Sequence, residues 1–306
     1  MTIRLVFMGS PDFALRTLKR LAEDKTVQLV GVVTQPDRPA GRGRNLTPPP
    51  VKILAQSLGL EVIQPPRLRE PEPFAKLASW QPEMIVVAAY GQILRQNVLD
   101  LPQYGCINVH ASLLPRWRGA APIQAAIAAG DIQSGVSIMK MDAGVDNGPV
   151  LAQHVVPVLA SDNAETLSAR LADVGAQLLM ETIPGYLQGK IIPQPQDESL
   201  VTRAPMLKKE DGLLDFNLPA DELVRKIRAF NPWPGAYFIW QDNLLKVHRA
   251  FTSLLPNSAP AKREIIDGLP AVGASQGWLV LDEVQPAGKK IMSGDVFLNG
   301  ARQWKA

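Results

Sequence analysis

An amide and an imidazole two residues apart, Asn108 and His110, are the pair in this sequence whose types and spacing best suit chemistry. They belong to Cys106-Ile-Asn-Val-His110, which reads as a short strand. A side-chain period of two then turns Asn108 and His110 to one face and Ile107 and Val109 to the other. One group is a fixed hydrogen-bond donor and the other can move a proton near neutral pH, as acyl transfer through an oxyanion requires. A satisfied core histidine beside an asparagine at a strand end would be spelled the same way. The adjoining residues favour chemistry: Ser112-Leu-Leu-Pro115 cannot continue a strand, because proline removes a ladder donor and holds Leu114 extended. The backbone must turn just beyond the pair, which places it at a strand end.

From Asn108 onward the sequence closely resembles the 10-formyltetrahydrofolate-dependent formyltransferases, whose hallmark is Asn-x-His followed by Ser-Leu-Leu-Pro-x-x-Arg-Gly. Here it reads Asn108-Val-His110-Ala-Ser112-Leu-Leu-Pro115-Arg-Trp-Arg118-Gly119. A further family element, Asp-x-Gly-x-Asp-x-Gly, is matched by Asp142-Ala-Gly144-Val-Asp146-Asn-Gly148, and the resemblance extends over nearly the whole chain. Its glycines argue for a loop at a strand end, where aspartates commonly form Asx turns; the resemblance is what singles out Asp146. It implies an enzyme that takes a formyl group from 10-formyltetrahydrofolate, as co-substrate and without metal, and gives it to an amine. In that scheme Asn108 donates to the oxyanion, His110 stabilises it in protonated form or carries protons, and Asp146 pairs with His110. Folate contacts are implied at Tyr90, Gly91, Ile93, Ser112, Leu113, Leu114, Pro115, Asp142 and Val145. By composition alone, Tyr90 to Leu94 would be an ordinary strand-to-helix turn.

The elements that must position these residues alternate. Ile3 to Met8, Gln28 to Thr34 and Met84 to Ala89 are continuous apolar runs of the kind found in strands buried on both faces. Helical patterns cover Leu15 to Leu21, Lys52 to Leu58, Phe74 to Trp80, Ala120 to Ala129 and Asn163 to Leu187, the last with Asp162 and Glu165 as a capping pair. Glu61 to Ile63 and Ser137 to Met141 read as further strands. This alternation predicts an α/β fold, a Rossmann-like, mostly parallel sheet with helices on both faces and ligands beyond the carboxyl ends of the strands. The first turn, Gly9-Ser-Pro-Asp-Phe13, lacks the Gly-x-Gly-x-x-Gly of dinucleotide binding, so the shape is expected without the cofactor.

With 306 residues, two domains are the default expectation. We assign residues 1–189 to the catalytic domain, 190–207, rich in proline and polar residues, to a linker, and 208–306 to a second domain. In the last part a helix from Asp221 to Ala229 and a turn at Asn231 to Tyr237 precede short strand patterns near Leu244–Val247, Trp278–Leu281 and Val296–Leu298. Strands so short and evenly spaced suggest a small β-barrel, and the resemblance implies an OB-like domain that contacts tRNA. Lys289 and Lys290 could follow an RNA backbone or be solvated surface lysines.

The single cysteine, Cys106, excludes an internal disulfide and a multi-thiolate metal site. No leader pattern or apolar run of about 20 residues is evident, so a cytoplasmic protein that does not cross a membrane is expected. The formal net charge is only +3, and all of it can be assigned to the stretch from Asp37 to Lys52, where Arg38, Arg42, Arg44 and Lys52 oppose one aspartate. Residues 35–50 read as a long irregular loop, and arginines on such a loop suit phosphate contact. The resemblance implies that Arg38, Arg42 and Arg44 contact the acceptor arm of tRNA. The resemblance thus implies initiator methionyl-tRNA as the acceptor, and a monomer is expected. An amino-sugar nucleotide or other small amine is the alternative acceptor, and it would not need a basic arm. A binding protein that has lost catalysis would have no chemical reason to keep Asn108, His110 and Asp146 together.

Overall fold

A computed structural model describes residues 2–40, 45–256 and 259–305. The chain forms two compact units, the first built from Met1–Pro122, Ser134–Pro157 and Ser168–Ala204, the second from Ile123–Gln133, Val158–Leu167 and Pro205–Ala306. In chain order the elements begin with β1 (Ile3–Gly9), α1 (Phe13–Glu23), β2 (Val27–Val33), β3 (Arg38–Ala40), β4 (Asn45–Thr47), α2 (Pro50–Ser57), β5 (Val62–Ile63) and α3 (Pro71–Ser79). Next come β6 (Met84–Ala88), α4 (Gln96–Leu99), β7 (Cys106–His110), β8 (Arg118–Gly119), α5 (Pro122–Ala129), β9 (Gln133–Lys140), β10 (Val150–Pro157), α6 (Ala164–Leu187) and β11 (Arg203–Ala204).

The central sheet runs β10-β9-β7-β6-β1-β2-β5. β1 pairs in parallel with β2 and β6, β2 with β5, and β6 with β7, while β7 and β9 are antiparallel. Every residue of β6 and β7 is buried, as the apolar runs require of strands covered on both sides. On one face Val6, Met8, Ile85, Val87 and Cys106 cluster with Leu77, Trp80, Val98 and Leu99. Trp80 lies so close to β2 that a Cβ at Gly31 would come within 2.5 Å of its ring. On the other face α6 approaches until a Cβ at Gly175 would stand 2.8 Å from Val109, and an Arg16–Asp173 ion pair of 3.0 Å joins α1 to α6. The expected two-faced, mostly parallel sheet is thus present.

Several expectations change. Within residues 35–50, β3 and β4 pair antiparallel, so the described ends of that stretch are a regular ladder; Arg42 and Arg44 lie outside the described residues. Lys52 does not add free charge, because its Nζ sits 2.7 Å and 2.9 Å from the two Asp37 carboxylate oxygens. Gln64, which also donates to Asp37, and then Lys52 hold that carboxyl below the usual range. The start of α6 is capped one residue later than the sequence pattern suggests: Thr166 N donates to Asn163 Oδ1 at 2.9 Å and Asn163 N to Thr166 Oγ1 at 3.0 Å. Asp162 instead accepts from Leu159 N. Residues 190–204, expected to be connecting chain, group with the first unit: Gln194 bridges to Val150, and β11 pairs in parallel with β8.

The second unit carries α7 (Ala220–Ala229), β12 (Ala236–Trp240), β13 (Asn243–Ser253), β14 (Arg263–Ile266), β15 (Leu269–Gly273), β16 (Trp278–Pro286), β17 (Met292–Ser293) and α8 (Gly294–Gly300). Its strands pair antiparallel in the order β12-β13-β16-β15-β14, with β17 on β16. This is the strand-rich second domain the sequence predicts, with one change of element type. Val296 to Leu298, expected to be a strand, lies in helix α8, where Phe297 is buried and Val296 is 50% exposed. Three residues cannot distinguish a period of two from one of 3.6. The core is aromatic: Trp304 is buried, its ring centroid 5.7 Å from both Phe297 and Trp240, and Phe238 meets Phe216 edge-on at 5.3 Å.

Candidate active site

The parallel strands β1, β6 and β7 end nearly level, Gly9 beside Ala88 and Val87 beside Asn108, and expected site residues lie at and beyond the ends of β6 and β7. Asn108 faces the same side as its partners Val87 on β6 and Met139 on β9, and His110 the same side as Ser137. The strand period therefore brings amide and imidazole to one face, 8% and 6% exposed. The turn beyond them is fully engaged. Ser137 Oγ donates to Ser112 O at 2.6 Å and accepts from Leu114 N at 3.0 Å, while Gln153 Nε2 donates to Leu114 O at 2.8 Å. Ser112 Oγ donates to Arg116 O at 2.6 Å, and Leu113 lies against Gly135, where a Cβ would be 2.5 Å from its side chain. The peptide joining Leu114 to Pro115 is cis.

Asp146 comes from the loop between β9 and β10 and reaches the same place. Its Oδ2 accepts from the backbone N of Gly119 at 2.9 Å, which leaves Oδ1 facing Asn108 Nδ2 at 3.5 Å and His110 Nδ1 at 3.7 Å. On the other side of the ring, His110 Nε2 lies 3.2 Å from the Trp117 carbonyl oxygen. A carbonyl can only accept, so Nε2 carries a proton and Nδ1 is the nitrogen that can gain or lose one. Neighbouring residues hold left-handed backbone: Trp117 at φ 61°, Asp146 at 53° and Gly119 at 126°. At Gly119 a side chain is excluded outright, since a Cβ would lie 2.4 Å from Ala204 O.

The remaining expected residues divide by location. Tyr90 is 2% exposed, and its hydroxyl, whose acidity burial suppresses, has no hydrogen-bond partner among the described residues. Its carbonyl accepts from Gln35 Nε2 at 3.1 Å, and Gly91 comes next at φ 83°. Ile93 and Val145 are 75% and 54% exposed, which leaves apolar surface on two site loops. Asp142 closes an Asx turn by accepting from Gly144 N at 3.0 Å. Arg38 is exposed and bonds Gln35 Oε1 at 3.0 Å. Sequence reasoning did not single out Gln153, Gln196 or Thr202. The last two lie in the proline-rich stretch taken as linker, and no periodicity marked them.

Strand-end amide and imidazole and a loop carboxylate on a Rossmann-like sheet are the arrangement a group-transfer enzyme needs. Residues 3–183 match the family described as formyl transferase, and residues 206–302 match the formyl transferase C-terminal domain. The chain belongs to the formyl transferase family. It is 45% identical over 302 residues to the methionyl-tRNA formyltransferase of Citrifermentans bemidjiense, spanning 97% of this chain and 93% of that protein. It is 48% identical over 301 residues to the Myxococcus xanthus protein of the same name, spanning 97% and 95%. Among solved structures, the Helicobacter canadensis N-formyltransferase in complex with folinic acid and dTDP-3-aminofucose superposes with a TM-score of 0.68 at 15% identity, over 94% of this chain and all of that one. HypX from Aquifex aeolicus in complex with tetrahydrofolic acid gives 0.63 at 16% identity, over 97% of this chain and 47% of that one. At such identities the structures speak for the fold. No described helix is long and apolar enough to cross a membrane.

Proposed function

We propose that this enzyme transfers the formyl group of 10-formyltetrahydrofolate to the α-amino group of initiator methionyl-tRNA, yielding N-formylmethionyl-tRNA for translation initiation. The observation that carries the chemistry is the convergence of Asn108, His110 and Asp146, two from one strand end and one from a separate loop, on a single carboxylate oxygen. The acceptor is inferred from relatives of that name that match 97% of the chain, whose residues 206–302 also match the family's C-terminal domain. The exposed Ile93 and Val145 suit the flat face of a ring such as the folate's pterin.

In this reading the amine attacks the formyl carbon and a carbon–nitrogen bond forms while the carbonyl electrons move to oxygen. Asn108 Nδ2 donates to that oxygen, a contact worth on the order of 3 kcal/mol in the transition state. Nδ1 of His110 takes the proton released by the amine, and Asp146 faces the resulting imidazolium. The same proton goes to the folate nitrogen as its bond to carbon breaks, so proton and electron pair balance and the histidine is restored. Trp117 O holds Nε2 throughout and keeps Nδ1 facing Asp146 Oδ1.

Arg38, with Arg42 and Arg44 outside the described residues, would meet tRNA phosphates, and the protein would act as a cytoplasmic monomer. The test is formyl transfer measured with charged initiator tRNA and with an amino-sugar nucleotide, at several salt concentrations. Formylation of the tRNA alone, weakening as salt rises, supports the reading. Transfer to the sugar with none to tRNA overturns it.

A further inference from the structure

We infer that Gln196 and Thr202 are positioning residues for this reaction, each fixing one of the two groups that face His110. The inference rests on the formyl-transfer reading. His110 stands between the Asp146 carboxylate and the Trp117 carbonyl, and neither of these residues lies in a strand or helix. Both are non-glycine residues at positive φ, a conformation that costs on the order of 1–2 kcal/mol each and persists only where surroundings impose it. Bonds that hold the backbone of both come from one stretch, Gln194 to Ala204.

Gln196 acts on the Asp146 side. Its Nε2 donates to the carbonyl of Asp146 at 2.9 Å and to that of Gly148 at 2.7 Å, which pins the backbone of the loop on either side of Asn147. Its Oε1 accepts from Arg118 Nε at 2.9 Å. Arg118 is 3% exposed, and the far edge of its guanidinium is committed to Glu198 at 3.2 Å and 2.7 Å. That contact holds the Glu198 carboxyl below its usual range. The amide thus has its acceptor and donor ends fixed, and cannot rotate without breaking bonds to buried groups.

Thr202 acts on the Trp117 side. Its Oγ1 accepts from Trp117 N at 2.8 Å and its carbonyl from Arg118 N at 3.0 Å, so the peptide groups flanking the Trp117 carbonyl are tied down. Arg118 joins the two arms, and Gly119, the next residue, supplies the N–H that aims Asp146. The stretch is itself anchored at both ends, by the reciprocal Gln194–Val150 bonds of 2.8 Å and by β11 on β8.

The test uses the full-length enzyme and four variants. Gln196→Glu keeps the acceptor for Arg118 and loses both donors, so it separates holding the Asp146 loop from merely filling space. Gln196→Ala and Gln196→Glu are each expected to lower kcat by about 10- to 100-fold, as small misplacements of catalytic groups do, with KM for folate and tRNA unchanged. Thr202→Val should slow turnover similarly, and Thr202→Ser, which retains the hydroxyl, should restore it. A second readout does not depend on turnover. His110 is one of three histidines, and in 15N-labelled protein its Nε2–H, held by Trp117 O, should give a resolved resonance in wild type and Thr202→Ser that shifts or vanishes in Thr202→Val. Wild-type kcat in Gln196→Glu, or an unmoved His110 resonance in Thr202→Val, overturns the inference. Absence of turnover in the wild type would instead count against the reaction, while the spectral comparison would still judge the geometry.

Discussion

Around His110 the first unit is organised by directed bonds between side chains and backbone, whereas around Trp304 the second unit is organised by rings. Asp146, Gly119, Gln196 and Arg118 each have one partner geometry that works, because a buried donor or acceptor left unmade costs about 1–3 kcal/mol. Phe216, Phe238, Trp240, Phe297 and Trp304 meet edge-on and tilted, and their attraction tolerates small rotations. Damage to the two should therefore surface in different measurements. Loss of a group in the first network should be read in turnover, and loss of a ring in the second in stability.

Removing the imidazole puts the greatest strain on that contrast. His110→Ala should lower kcat by about 10²- to 10⁴-fold, the usual contribution of a proton-transferring group, with a thermal midpoint close to wild type. Single-turnover formylation beside a melting curve checks both halves; a variant that unfolds without a chemical defect would erase the distinction. Trp304→Ala should do the reverse, destabilising the protein by about 3–5 kcal/mol through the lost ring and the cavity it leaves. Near-UV circular dichroism in urea reads the loss, and wild-type stability would mean that the aromatic cluster is not what holds the second unit.

Asn108→Ala should cost about 10²- to 10³-fold in kcat with folate binding retained, since its donor matters most once the oxyanion has formed. Full turnover would move the oxyanion donor elsewhere. The smallest effect concerns Cys106, whose thiol burial, more than the nearby Asp100 charge, pushes up to about 12. Its folded pKa is raised, so the neutral form prevails through about pH 8, and labelling by a thiol reagent should be no faster than opening of the sheet. Rapid labelling of folded protein would show the first unit to be looser at β7 than its burial implies.

Legibility in the sequence divides along the same line. The apolar runs at Ile3, Gln28 and Met84 disclosed buried strands because burial on both faces leaves no alternation to misread, and the period of two placed Asn108 and His110 on one side. Asp146 was visible only through resemblance, since its neighbours spell an ordinary Asx turn. Gln196 and Thr202 carried no local signal: their partners Arg118 and Trp117 are 78 and 85 residues away. Polar side chains among prolines look like tether until something distant is found to need them. In the second unit Val296–Leu298 was too short to reveal its helical period.

The long separation between Arg118 and Gln196 also sets a time. A nascent chain grows at about 5–20 residues per second, so the 78 residues between these partners take roughly 4–16 s to synthesise. Asp146 is made 50 residues before Gln196, so for the later part of that interval the ribosome carries a chain whose strands β1, β6 and β7 and Asp146 loop are made but whose loop has no Gln196 to hold it. The last bonds at the reaction centre close only after Thr202 has been made, when two segments of the second unit, Ile123–Gln133 and Val158–Leu167, already precede it in the chain.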